Sequence, residues 1–321
     1  MFKPLNYNIM LRKKQIVNVI LITIVMISSC QKAEKPIIIN DEEDNYYVNH
    51  YNDWGFKIID DIVYFKDRVA FEKVISDLHQ HDEQYLDLWE LKYGFDYSYR
   101  GIFKPAITKE SEHIQSSDKN YIIEDPVFAT VVNRDGIYII SDTIHIITYE
   151  KEYTIPDLDF SLIDKVLIQG SDKTKLQSNG VQIFDINRKT FYPNIKDVTG
   201  LNVVKKQHPL DANLSAHLKC WCVNYLVYGS IGIRIVGRKY DEDHWRNDRM
   251  VYAKVDGCAW GGPSWSPPVE YCGSNYGYDE KKVAKTLLWY TGIVYCEEVE
   301  CTYTYQDGPY PNIYQWTITW N

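Results

Sequence analysis

Apolar residues arrive in one block near the start of the chain and afterwards in two rhythms, one helical and one extended. The block, residues 16–26, is shorter than the roughly 20 residues that span a bilayer core. After Asp67, a capping residue, Phe71, Val74, Ile75 and Leu78 fall at i, i+3, i+4 and i+7, the spacing of one helix face. After Asp82, the residues Tyr85, Leu88 and Trp89 define a second such face, with Gly94 as the expected stop. Together with the strand-like residues 62–65, they predict a strand and a helical hairpin.

From residue 127 the period changes to two. Residues 128–132 and 137–140 flank Asn133-Arg134-Asp135-Gly136, whose Asp-Gly pair suits a tight hairpin turn, and residues 143–148 add a strand. Residues 150–215 alternate short apolar runs with turn residues. Beyond them, residues 220–227, 232–238, 250–255, 286–295, 297–305 and 313–320 read as strand after strand. The expected fold class is α+β: a small N-terminal domain of a strand plus a helical hairpin, then a mainly antiparallel β-sandwich C-terminal domain. The boundaries that follow are 1–29 for a leader, 30–53 for a tether, 54–150 for the α+β domain, 151–215 for a β-rich connection and 216–321 for the sandwich.

The leader has the anatomy of a signal peptide: Arg12-Lys13-Lys14 ahead of the apolar block and Ile27-Ser28-Ser29-Cys30 behind it. Met10 begins a more compact version of it than Met1 does. The last four residues resemble the lipobox of bacterial lipoproteins, which implies lipid attachment at Cys30 and a folded extracytoplasmic domain held on the outer membrane or cell surface. The tether is polar, and its run Asp41-Glu42-Glu43-Asp44 reads as a solvated stretch. In some Bacteroidetes lipoproteins acids close behind the lipidated cysteine direct export to the surface, but here they begin eleven residues after Cys30.

Removal of residues 1–29 takes away four basic residues and no acid, leaving 31 basic residues against 44 acidic and moving the net charge from −9 to −13. Such a surface repels phosphate backbones, so nucleic acid is excluded as an expected partner. Apart from Cys30, the cysteines are Cys220, Cys222, Cys258, Cys272, Cys296 and Cys301. An even set in an exported domain reads as a disulfide framework, with Cys258 paired to Cys272, and Cys220 and Cys222 paired to Cys296 and Cys301 in either order. The rival zinc reading lacks the paired knuckles of zinc ribbons, and no metal or other cofactor is expected.

Further segments resemble uncharacterised exported lipoproteins of the Bacteroidetes. They are Asp61-Ile62-Val63-Tyr64-Phe65 leading into Phe71-Glu72, then Leu88-Trp89-Glu90 and Gly94-Phe95, then residues 128–136 and 141–148, and finally Tyr225-Leu226-Val227-Tyr228-Gly229-Ser230-Ile231-Gly232. The resemblance covers residues 60–150 and 218–240. It implies an exported lipoprotein and supplies no catalytic residues.

The chain carries no G-x-S-x-G elbow, H-E-x-x-H pair, Walker loop or dinucleotide fingerprint. His79 and His81 read as a solvated junction between two helices, and His244, within Asp241-Glu242-Asp243-His244-Trp245, as part of a polar turn. Aromatic residues rise above background: seven of nine tryptophans lie beyond residue 219. Between Cys258 and Cys272, a segment rich in Gly and Pro is expected to be an irregular bridged loop displaying Trp260, Trp265 and Tyr271. The function these features imply is a non-catalytic binding or surface-interaction module for a glycan or protein ligand. The alternative is a secreted hydrolase acting on glycan or peptide, with carboxylates that no motif selects.

Overall fold

The computed structural model describes residues 51–103, 122–169, 173–194, 198–200, 203–241 and 244–321. Cys30, the leader and most of the tether lie outside them. A tight turn at Asp60 and Asp61, both at positive φ, joins β1 (Phe56–Ile59) to β2 (Ile62–Phe65). Asp67 then accepts a hydrogen bond from the Ala70 amide at 2.8 Å and caps α1 (Arg68–His79), whose Phe71, Val74, Ile75 and Leu78 are buried as their spacing requires.

Asp82 caps α2 (Glu83–Lys92) in the same way. The buried face of α2 is Leu86, Trp89 and Glu90 rather than Tyr85, Leu88 and Trp89; Leu88 is 61% exposed. The rotation follows from Glu90, which is drawn inside by Arg100 at 3.0 Å and Ser98 at 2.5 Å. The helix stops at Gly94, at φ +64, where Phe95 N donates to Glu90 O and Gly94 N to Leu91 O, the paired bonds of a Schellman cap.

Residues 128–132, expected to be a strand, belong largely to a third helix, α3 (Pro126–Val131). The Asp-Pro pair decides this. Asp125 Oδ1 accepts from the Val127 and Phe128 amides at 2.8 and 3.2 Å, and Pro126 occupies a first-turn position where its missing N–H costs nothing. Both α1 and α2 contact α3 more than they contact each other.

The chain then forms β3 (Ile137–Ile140), β4 (Thr143–Ile147) and β5 (Lys151–Ile155), the short helices α4 (Ile163–Gln169) and α5 (Lys173–Ser178), and β6 (Gln182–Asp185). Strands β1 to β6 make one sheet in sequence order, antiparallel except for the β2–β3 pair. That pair is parallel because α1 to α3 lie between its strands as a crossover. The helices cover one face, and α4, α5 and the turns around them cover the other, so the run Ile137-Tyr138-Ile139-Ile140 is buried throughout.

Next come β7 (Asn187–Arg188), β8 (Val198–Gly200), β9 (Val203–His208), β10 (Asp211–Asn224), β11 (Gly229–Asp241), β12 (His244–Asn247), β13 (Met250–Pro263), β14 (Val269–Glu280), β15 (Lys282–Tyr290), β16 (Val294–Gln306) and β17 (Tyr314–Trp320). A second sheet runs β12-β11-β10-β9-β8, with β15 also on β11 and β7 on β10. A third runs β14-β13-β16-β17, and every pair in these two sheets is antiparallel. The two share one core, with Leu218, Ile233 and Val283 from one and Val255, Val299 and Ile318 from the other.

The core around the helices includes Trp221, Val223 and Tyr228, so segments before residue 150 and after 216 pack together, and His50–Asn321 forms one compact unit. A buried ion cluster reinforces the contact. Burial works to raise the pKa of Glu124, but Lys219 at 2.5 Å and Arg234 at 3.0 Å hold it below the usual carboxylate value. Among the described residues, no helix is long and apolar enough to cross a membrane.

Candidate functional site

The segment between Cys258 and Cys272 is a hairpin, not the irregular loop its glycines and prolines suggest. β13 continues to Pro263 and β14 resumes at Val269, which leaves only residues 264–268 as a turn. Glycine here serves close approach: a Cβ on Gly261 would meet the Tyr295 carbonyl at 2.3 Å, at the point where the β13–β16 register shifts. Cys258 and Cys272 stand directly opposite in the ladder and form a disulfide.

Side chains alternate along β13, so Ala253, Val255 and Ala259 enter the core while Tyr252, Lys254, Asp256, Cys258 and Trp260 lie on the outer face. Their partners on β14 are Tyr278, Tyr276, Ser274, Cys272 and Glu270 in that order. Aromatic groups thus stand at both ends of a strip spanning about 27 Å at the rise of an antiparallel strand. Trp260 is 44% exposed, Tyr276 63% and Tyr278 67%, and Tyr252 packs 5.1 Å from Tyr278.

Across the same face, β16 places Glu298, Glu300, Thr302 and Thr304, and β17 places Gln315, Thr317 and Thr319. The hydroxyls of Thr302 and Thr317 are 2.9 Å apart. Lys254 hydrogen-bonds Asp256 at 2.7 Å, which raises the lysine pKa and leaves Asp256, Glu270, Glu298 and Glu300 outnumbering it. The face is open, aromatic and mildly acidic.

Of the three aromatic candidates, only the tryptophans are displayed. Trp265 sits in the turn, 72% exposed, with its ring centroid 6.2 Å from that of Tyr290 in an edge-on arrangement. Tyr271 stands opposite Ala259 and packs against the core, so the structure separates it from Trp260. The outer-face tyrosines Tyr252, Tyr276 and Tyr278 complete the strip, and their period of two with Trp260 and Cys272 is the signal of it in the sequence.

The other expected bridges are not formed. Cys220 and Cys222 on β10, and Cys296 and Cys301 on β16, are buried free thiols within the core that the two sheets share. They meet there as packing groups. Burial pushes Cys222, Cys296 and Cys301 up to about 12 and raises Cys220 well above the usual thiol value, so all four stay protonated. Among the described residues, the single grouping of metal-ligating side chains is Cys258, Glu270 and Cys272, in which the two sulfurs are bonded to each other. The side chain of His244 lies outside the described residues, and His79 is half-buried rather than solvated: its ring centroid lies 4.7 Å from that of Trp289, stacked, and it hydrogen-bonds Tyr228.

No family model matches this chain, and no curated protein matches it. Among solved structures it is similar to a DUF4848 family protein from Bacteroides thetaiotaomicron, with 12% identity over 82% of this chain and 98% of that one. The TM-score is 0.23, a likeness too distant to carry fold or function.

Proposed function

We propose that the chain is an exported lipoprotein, anchored through Cys30 in the outer membrane or at the cell surface, whose β-sandwich binds an extended neutral glycan. The observation that carries the binding reading is the outer strip of β13 and β14. It holds Trp260, Tyr276 and Tyr278 in the open, on strands braced by a disulfide. Aromatic faces stack on the apolar faces of sugar rings, while Asp256, Glu270 and the threonines offer hydrogen-bond partners to sugar hydroxyls. The excess of carboxylates disfavours an anionic polymer, and the length of the strip suits a chain rather than a single sugar. The same face argues against hydrolysis, because its carboxylates are spread on an open plane instead of enclosed around a bond.

Calorimetry with soluble neutral polysaccharides, xyloglucan first, tests this. Each stacking residue contributes about 1 kcal/mol, so the double variant Trp260→Ala, Tyr276→Ala should bind roughly 30-fold more weakly with an unchanged melting temperature. A Trp265→Ala variant isolates the hairpin turn. Absence of saturable binding, or equal binding by the double variant, would reject the platform, and preference for proline-rich peptides would replace the glycan with a protein partner.

A further inference from the structure

Apolar side chains also gather on the outside of the molecule where α4 covers the first sheet. A turn of 3₁₀ helix, Phe160–Leu162, runs directly into α4. Leu162 and Val166 are buried in the core on that face of the sheet. Phe160, Ile163 and Leu167 follow at i, i+3 and i+7, a ridge along one flank of the same helical run. Phe160 is 44% exposed, Leu167 45%, and Ile168, the next residue, 82%. Water gains nothing from these side chains, whereas a surface that shields them does.

The ridge leads to the corner where the chain enters the fold. The Phe160 ring lies 6.5 Å from that of Tyr64, and the Lys57 ammonium sits over both Tyr64, at 5.8 Å, and Tyr51, at 5.1 Å. Tyr51 is the first described residue. Residues 31–50 therefore join Cys30 to this corner, and they cannot reach further than about 75 Å even at full extension. A surface that held Cys30 would meet the ridge at a raised effective concentration, so that a few apolar side chains suffice for contact.

The ridge and the aromatic strip lie on opposite outer faces. Successive cores separate them: one between α4, α5 and the first sheet, one around α1 to α3, and one shared by the second and third sheets. The order is fixed at β10, where Trp221 and Val223 enter the helical core while Cys220 and Cys222 enter the core of the sandwich from the other face. With the ridge against a surface, the outer face of β13 and β14 is turned away from it. The charged residues along the ridge run, Asp157, Asp159, Asp164 and Lys165, include too few cations to select an anionic lipid.

We infer that Phe160, Leu167 and Ile168 rest on a zwitterionic lipid surface and orient the strip outward, an inference that depends on the lipoprotein reading above. The test holds the full-length chain, carrying Cys30→Ser and an N-terminal polyhistidine tag, on phosphatidylcholine vesicles that contain a nickel-chelating lipid, so attachment needs no acylation. An environment-sensitive fluorophore on Ile168→Cys should shift its emission to the blue when vesicles are added and be quenched by brominated phosphatidylcholine. The same label on Tyr278→Cys, in the strip, should do neither. The double variant Phe160→Ser, Leu167→Ser should weaken docking of the Ile168 label at least about tenfold, as expected for the removal of two apolar side chains. Both residues are partly exposed, so its melting temperature should stay close to that of the wild type. A label at Ile168 that is quenched no more than one at Tyr278 would overturn the lipid contact and leave the Cys30 anchor untouched, since palmitate labelling tests that alone. A blue-shifted label before any vesicle is added would overturn it as well: the ridge would then be covered by this chain itself, or, if dilution reverses the shift, by a second copy.

Discussion

His79 is held neutral chiefly by its burial, with its ring stacked on Trp289 and hydrogen-bonded to Tyr228. Its pKa falls from 6.5 to about 4 on folding, so between those values the unfolded chain binds a proton that the folded protein refuses. The associated stability is fully present above about pH 6.5 and is lost as pH falls towards 4, to an extent on the order of 3 kcal/mol. Burial is the main cause; Asp125 opposes it and Lys285 adds to it, while Tyr228 and Trp289 pack against the ring. Urea unfolding at pH 7.5 and at pH 5 should show the wild type losing more stability than a His79→Gln variant, which retains an amide donor for Tyr228 but cannot titrate. Equal losses in the two proteins would place the acid sensitivity elsewhere. None of this is legible around residue 79, where two histidines near a helix junction read as solvated; the hydrogen-bond partner lies 149 residues away. The capping aspartates Asp67 and Asp82 were legible because a cap acts on amides two or three residues ahead.

At the scale of elements, local patterns fail where tertiary contact outweighs them. Residues 128–132 are rich in β-branched residues, yet Asp125 and Pro126 start a helix, and burial of all six residues of α3 holds it. The hairpin of β13 and β14 reverses the error: Gly257 and Gly261 discourage a strand on their own, but each allows β13 to press against β16 where a side chain would collide with backbone. The cross-strand position of Cys258 and Cys272 makes their bond a brace for this arm. Replacing both with Ser should cost at most about 3 kcal/mol, the chain-entropy value for a loop of this length, and less if strand pairing alone holds the arm. Chemical denaturation measures the loss, and glycan calorimetry on the same variant reveals whether the strip needs the brace. Cys220, Cys222, Cys296 and Cys301 should resist iodoacetamide in the native protein and react once it is unfolded. Peptide mapping that finds any of them bridged would restore the wider framework that their even number suggests.

For the whole molecule, the proposed function depends on a single covalent event outside the described residues. A binding face serves a cell surface only if the domain stays there, and the anchor we propose is the series of basic residues, apolar block and Ser28-Ser29-Cys30. Dual or triple acylation, at about 0.8 kcal/mol per buried methylene, makes such an anchor effectively permanent, whereas one chain alone is reversible. The net charge of −13 that removal of residues 1–29 would leave disfavours contact with anionic headgroups. Substituting Cys30→Ser removes the thiol to which lipid would attach and leaves every described contact intact. In a bacterial host fed an alkyne analogue of palmitate, the wild type should carry the label, fractionate with membranes and run shorter than its precursor. The variant should lose the label and remain at precursor length while folding as before. If the variant is labelled as strongly as the wild type, Cys30 is not the acylation point; if neither is labelled, the glycan platform belongs to a protein held at its site by something other than lipid.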